Sequence, residues 1–166
     1  GLDYDWTLVN PIGCKTFPTN IDDWIWYSDT VPDILKKYYE DGYILVVFTN
    51  QSKEWKHKQI KLVMEQLNIP LFIVIATKRE EYKPNIGLFT TFIGENAIIK
   101  KESFFVGDAG GRPVIDFSDC DKAFAKNIGI KWYSPEDIFI DKSETFVLPV
   151  IPLSNKEIIF TTGYPG

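Results

Sequence analysis

The stretch "GLDYDWTLVN" (1–10) sets two carboxylates, Asp3 and Asp5, two residues apart in an apolar run, with bulky Trp6 directly after the second. Its first four residues read as a strand. Similar β-rich runs recur at 42–49, 71–77, 103–107 and 130–133, and helix-like stretches at 31–39, 52–68, 85–94, 118–127 and 135–139 alternate with them. That alternation predicts β-α-β units and an α/β fold with a mostly parallel sheet. The second helix carries Ile60, Val63, Met64 and Leu67 as an apolar stripe at helical spacing. Ser118-x-x-Asp121 reads as a capping box, with Gly129 as that helix's stop. Between Cys14 and Thr30 no period is visible, so the segment is expected to be an ordered excursion, with Trp24, Trp26 and Tyr27 in the core.

Open parallel sheets carry their functional groups at the carboxyl ends of the strands. Here those ends hold Asp3 and Asp5, then Thr49, Asn50 and Gln51, then Lys83 in "YKP" (82–84), then Gly107 and Asp108. Three carboxylates, a hydroxyl, an amide and a lysine on one rim form a phosphoryl-transfer set. Carboxylates recruit a hard Mg²⁺ ion, which keeps sites open for phosphate oxygens. Thr49 and Asn50 can donate to a phosphate, and Lys83 can neutralise it. One Asp can attack phosphorus; the other can move the proton.

Other chemistries are poorly supplied. His57 is the single histidine, and neither Cys14 nor Cys120 is followed six residues later by arginine, since those positions are Asn20 and Lys126. With only two cysteines and no C-x-x-C, reduced thiols and an intracellular location are expected. A formal charge of −5, from 18 basic and 23 acidic residues, argues against coating long nucleic acid, though not against a local basic patch. Lys53, Lys56, Lys58 and Lys61 offer such a patch beside the rim, either as solvated surface or as contacts to a DNA backbone, with Lys78 and Arg79 weaker candidates. Arg112 is a candidate contact to DNA or phosphate, and Asp116 reads either as support behind a metal ligand or as loop structure. No apolar run reaches the length of a membrane helix.

The set resembles the haloacid dehalogenase superfamily of phosphatases, whose motifs appear as "DYDWT" (3–7), "VVFTN" (46–50), "KP" (83–84) and "FFVGD" (104–108). It is more closely similar to the polynucleotide kinase 3'-phosphatases through "KTFPT" (15–19), "FTNQ" (48–51), "ATKREEYKP" (76–84), "FVGDAGGRP" (105–113) and "DFSDCDKAFAKNIGI" (116–130). The resemblance implies a domain over 1–141 with a three-layer Rossmann-like parallel sheet of the haloacid dehalogenase type and no large cap, which removes 3'-phosphate from DNA ends. It makes Asp3 the nucleophile and Asp5 the general acid and base. Asp3, Asp108 and the Asp5 carbonyl would hold Mg²⁺, and Thr49 and Lys83 would bind phosphate, with Asn50, Gln51, Lys53 and Arg112 as further substrate contacts. The rivals are a phosphatase for a small metabolite and a non-catalytic phospho-acceptor module.

Residues 142–156, with Pro149 and Pro152, read as a linker. "NKEIIFTTGYPG" (155–166) looks like the truncated start of a kinase phosphate loop from 157 on, which implies a C-terminal kinase domain in the parent chain. A nuclear location is expected where DNA is repaired, and a monomer is favoured. Trp6 departs from the family, which commonly has glycine there; its indole is expected to pack away from the cleft.

Overall fold

The computed structural model describes residues 1–13, 15–94 and 98–140. Cys14, the expected linker at 142–156 and the kinase-like start at 157–166 lie outside these residues. After the first carboxylates come β1 (Val9–Asn10), β2 (Ile25–Trp26) and α1 (Val31–Glu40), then β3 (Val46–Asn50), α2 (Glu54–Glu65) and β4 (Phe72–Ala76). A 3-10 turn (Arg79–Glu81), α3 (Gly87–Phe92), β5 (Phe104–Val106), α4 (Cys120–Ile128), β6 (Lys131–Tyr133) and α5 (Pro135–Phe139) follow. No helix among the described residues is long and apolar enough to cross a membrane.

The strands β3 and β4 run parallel, Val46 opposite Phe72 through Asn50 opposite Ala76, and β5 and β6 do the same from Phe104 opposite Lys131. Residues 1–3 join the two pairs. Leu2 donates its N–H to Val46 and accepts from Phe48, while Asp3 donates to Val106 and Gly1 accepts from the Val106 N–H, all at 2.8–2.9 Å. The row is therefore β4, β3, residues 1–3, β5, β6, all parallel where bridged. Instead of the strand expected at 1–4, only Leu2 forms ladder bridges, because Asp5 already turns toward Val9.

Side chains alternate across this row, so each strand feeds two cores. Leu2, Val47 and Val106 pack with Leu35 of α1, Ile60 and Val63 of α2 and Phe139 of α5. Val46, Phe48 and Phe105 pack on the opposite side with Phe89 of α3 and Phe124 and Ile128 of α4. Phe124 is 2% exposed and meets Phe105 edge-on at 5.1 Å. Phe124→Ala would cost about 3–5 kcal/mol by leaving a cavity under α4. Trp24, Trp26 and Tyr27 lie against the first core as expected.

The excursion between β1 and α1 is organised by Asp23, 4% exposed, which accepts from the N–H of Ile12 and Thr19, the Thr19 hydroxyl and Lys15 at 2.8–3.0 Å. Those donors hold its carboxyl well below the usual range. At helix ends the expectations fare unevenly. Gly129 does stop α4, at φ 85°. The expected capping box at Ser118 and Asp121 does not form: Asp119 is the N-cap without a side-chain bond, and Asp121 points inward. A box forms instead at α5, where the Ser134 hydroxyl accepts from the Asp137 N–H at 3.3 Å and Asp137 accepts from the Ser134 N–H at 3.2 Å. The third helix is shorter than expected because the Asn85 carbonyl oxygen accepts from the Gly87 N–H at 2.7 Å, an Asx turn that delays its start.

Candidate active site

The carboxyl ends of the strands open into a cleft of about 400 Å³, lined by Asp3, Asp5, Thr49, Lys83, Asp108 and Asp121 among others. Asp3 comes from the centre of the row, Thr49 from the end of β3, and Asp108 from the residue after Gly107. Glycine is required at 107: a Cβ there would run into the carboxylate of Asp121. The Thr7 hydroxyl accepts from the Asp108 N–H at 3.1 Å, fixing the loop that presents Asp108.

Lys83 is the electrostatic centre. Its ammonium lies 2.5 Å from Asp3 and 2.7 Å from Asp121, with only 7% of the residue exposed. Burial disfavours the cation, but Asp3 and Asp121 outweigh it and raise the Lys83 pKa, so it stays charged. Burial pushes Asp3 up most strongly; Lys83 opposes this, and Asp121 and Asp108 add to it. Asp108 is pushed up to about 6 by burial and then by Asp121, against Lys83. Oxygens of Asp3, Asp108 and Asp121 come within 4.8 Å of one another. The carboxyls of Asp3, Asp108 and Asp121 gathered around one ammonium form an acidic cluster that suits a divalent cation.

Asp5 is held separately. Gln51 donates to one of its oxygens, and Lys56 donates to the other at 2.6 Å. Lys56 corrects the reading of a solvated lysine face. It is 4% exposed, also donates to Gln59 at 2.7 Å, and sits 4.9 Å from the ring centre of Tyr4. Lys53, Lys58 and Lys61 are exposed, and of these Lys53 lines the cleft. His57 is half-buried and its Nε2 lies 2.8 Å from the Gln51 carbonyl, so it is not a bare surface residue.

Three other expectations change. Asn50, read as a phosphate donor, engages both side-chain atoms with Lys83, accepting from its N–H at 2.9 Å and donating to its carbonyl at 3.4 Å. It therefore positions Lys83. Arg112 does not line the cleft: its guanidinium is taken by Asp116 at 2.8–3.0 Å and Glu136 at 3.1 Å. Asp116 also accepts from the N–H of Gly110 and Arg112 at 2.9 Å, which is loop structure. Trp6 is not packed away. It has φ 56°, a conformation that glycine adopts without strain, its Nε1 donates to the Thr16 carbonyl at 3.2 Å, and its side chain lines the cleft.

Asp121 and Lys56 are the residues that sequence reasoning missed, and one signal marks both. Lys56 stands four before Ile60 and Asp121 four before Ala125, so each extends an apolar stripe by one turn toward the helix start. A charge on a buried stripe has to meet a partner.

The profile of the Polynucleotide kinase 3 phosphatase family matches residues 1–139. The chain belongs to this family. Its similarity extends to a bifunctional polynucleotide phosphatase/kinase of Schizosaccharomyces pombe, 34% identical over 159 residues, covering 89% of this chain and 38% of that protein. An uncharacterized 20.8 kDa protein of Autographa californica nuclear polyhedrosis virus is 37% identical over 152 residues, covering 81% of each. The polynucleotide 3'-phosphatase ZDP of Arabidopsis thaliana is 33% identical, covering 74% of this chain and 21% of that protein. The chain thus spans well under half of the two relatives whose names state an activity, and the resemblance read from the motifs is borne out at the level of the family.

Proposed function

We propose that this family member is a Mg²⁺-dependent polynucleotide 3'-phosphatase acting through an aspartyl-phosphate on Asp3. The observation that carries the reading is Lys83, buried at the cleft floor and ion-paired to Asp3 at 2.5 Å and Asp121 at 2.7 Å. A fixed cation beside a carboxylate nucleophile is what attack on a phosphate dianion requires. The two cores on opposite faces of the strand row support a three-layer, haloacid dehalogenase-type fold.

In this reading a carboxylate oxygen of Asp3 attacks phosphorus, the bond between phosphorus and the 3'-oxygen breaks, and Asp5, entering the step as the acid, protonates that departing oxygen. Water then attacks the aspartyl-phosphate while Asp5 takes its proton, which returns both residues to their starting states. Thr49 and Lys83 bind the equatorial oxygens. Gln51 and Lys56 fix the Asp5 carboxyl, and Asn50 fixes the Lys83 backbone. Asp3, Asp108 and the Asp5 carbonyl would hold Mg²⁺, which when bound neutralises charge on the phosphate.

The domain would occupy 1–141, within a parent chain that carries a kinase domain beyond the linker and acts on DNA ends in the nucleus. Incubating the chain and its Asp3→Asn variant with Mg²⁺, oligonucleotides bearing 3'- or 5'-phosphate, and a panel of sugar phosphates tests this. Release from the 3'-phosphate alone, lost in the variant, is expected; release from sugar phosphates only would replace the reading with a metabolite phosphatase.

A further inference from the structure

Beside the catalytic cleft lies a second cavity of about 530 Å³, lined by Asn10, Lys15, Tyr27 and Arg112 among others. Among the described residues, Trp6, Asp108 and Phe117 line both cavities. Two of those three are aromatic, and they belong to different loops, one after the first carboxylates and one before α4. Phe117 is 91% exposed, far beyond what folding alone asks of a phenylalanine. Trp6 keeps a left-handed backbone, which is strained for a bulky residue. The Phe117 loop carries a second such outlier, the β-branched Val114 at φ 69°. Strain retained by a bulky aromatic residue that lines the cleft is a functional signature more than a packing one. The Trp6 indole is also oriented, since its Nε1 donates to the Thr16 carbonyl.

We infer that Trp6 and Phe117 form a stacking subsite for a nucleobase, holding the base of the terminal nucleotide beside Asp108 while its 3'-phosphate reaches Asp3 and Lys83. The inference rests on the 3'-phosphatase reading and extends it to substrate class: a nucleotide with a base, of any sequence, and unpaired so that its faces are free. Stacking accepts every base because each has a π-face, so the subsite discriminates base from no base and not one base from another. The second cavity is of ligand-binding size and gives the base room on the far side of the two rings.

The test compares 3'-phosphorylated single-stranded oligonucleotides whose terminal nucleotide carries a base or is abasic, using the 166-residue chain. For the unaltered protein, kcat/KM is expected to be about 5- to 150-fold higher with the base, the range of one stacking contact. In Trp6→Gly, where glycine suits the backbone, and in Phe117→Ala, at an exposed position, that ratio should fall toward one. Trp6→Phe should restore most of it. Because the ratio is taken within each variant, general damage to the fold cancels. A ratio of one in the unaltered protein, or a ratio that survives both variants, overturns the subsite alone. Absence of release from either oligonucleotide overturns the 3'-phosphatase reading and the subsite with it.

Discussion

Two buried lysines serve the two motif carboxylates, and they are mounted differently. Lys83 sits in a loop clamped by Asn50 and shares its charge between Asp3 and Asp121, 9% and 1% exposed. Lys56 sits in a helix and meets one carboxylate, Asp5, whose side chain is 26% exposed, together with an amide and a tyrosine ring. The first belongs to a charge centre that a phosphate or a cation would rearrange. The second is a fixture that keeps the Asp5 carboxyl, the proposed acid and base, pointing one way.

The largest expected effect follows from breaking the first. Lys83→Met leaves two buried carboxylates uncompensated, and urea unfolding should show a loss of about 3–5 kcal/mol. 3'-Phosphate release should fall on the order of 10²- to 10³-fold, as when a preorganised transition-state donor is removed. A stability loss below about 1 kcal/mol would mean that Lys83 is not the electrostatic centre. Adding Asp121→Asn to that variant sharpens the point: part of the lost stability should return and none of the activity, because the repulsion is eased while the phosphate still lacks its cation.

Lys56→Met should be milder. Asp5 can turn to water, so a loss of about 1–3 kcal/mol is expected, with kcat lowered roughly tenfold and KM little changed, since Lys56 is buried under Asp5. A rise in KM without a fall in kcat would break the contrast by making Lys56 a substrate contact.

The smallest effect concerns pH. Asp108, raised from an ordinary 3.8 to about 6, and Asp3, raised further, bind protons more tightly folded than unfolded. Metal-free protein should therefore hold this stability contribution below about pH 4 and lose it as pH rises through 6, while Lys83, raised above its ordinary range, contributes no change in that window. Mg²⁺ should reverse the slope, its increase in Tm growing from pH 4 to 7 as the carboxylates ionise. An increase independent of pH would place the ion elsewhere.

Much of this was legible because strand ends and motif spacing are local. Thr49, Lys83 and Asp108 stand at the cleft where the alternation of strands and helices put them. What escaped was partnership across elements. Arg112 looks from its loop like a phosphate contact, but which acids face it depends on where α5 folds back. Asp121 has the spacing of a cap, and its pairing with Lys83 depends on the first turn of α4 meeting a loop 38 positions earlier in sequence. Trp6 shows that a glycine-type backbone can persist without glycine, which no residue count reveals.

The Arg112 fork has a mechanical consequence. It grips Asp116 within the loop that follows Asp108 and Glu136 on the last described helix, so it acts as a strut between that loop and α5. Displacement of α5 would be felt at Asp108, the carboxylate proposed to hold the cation.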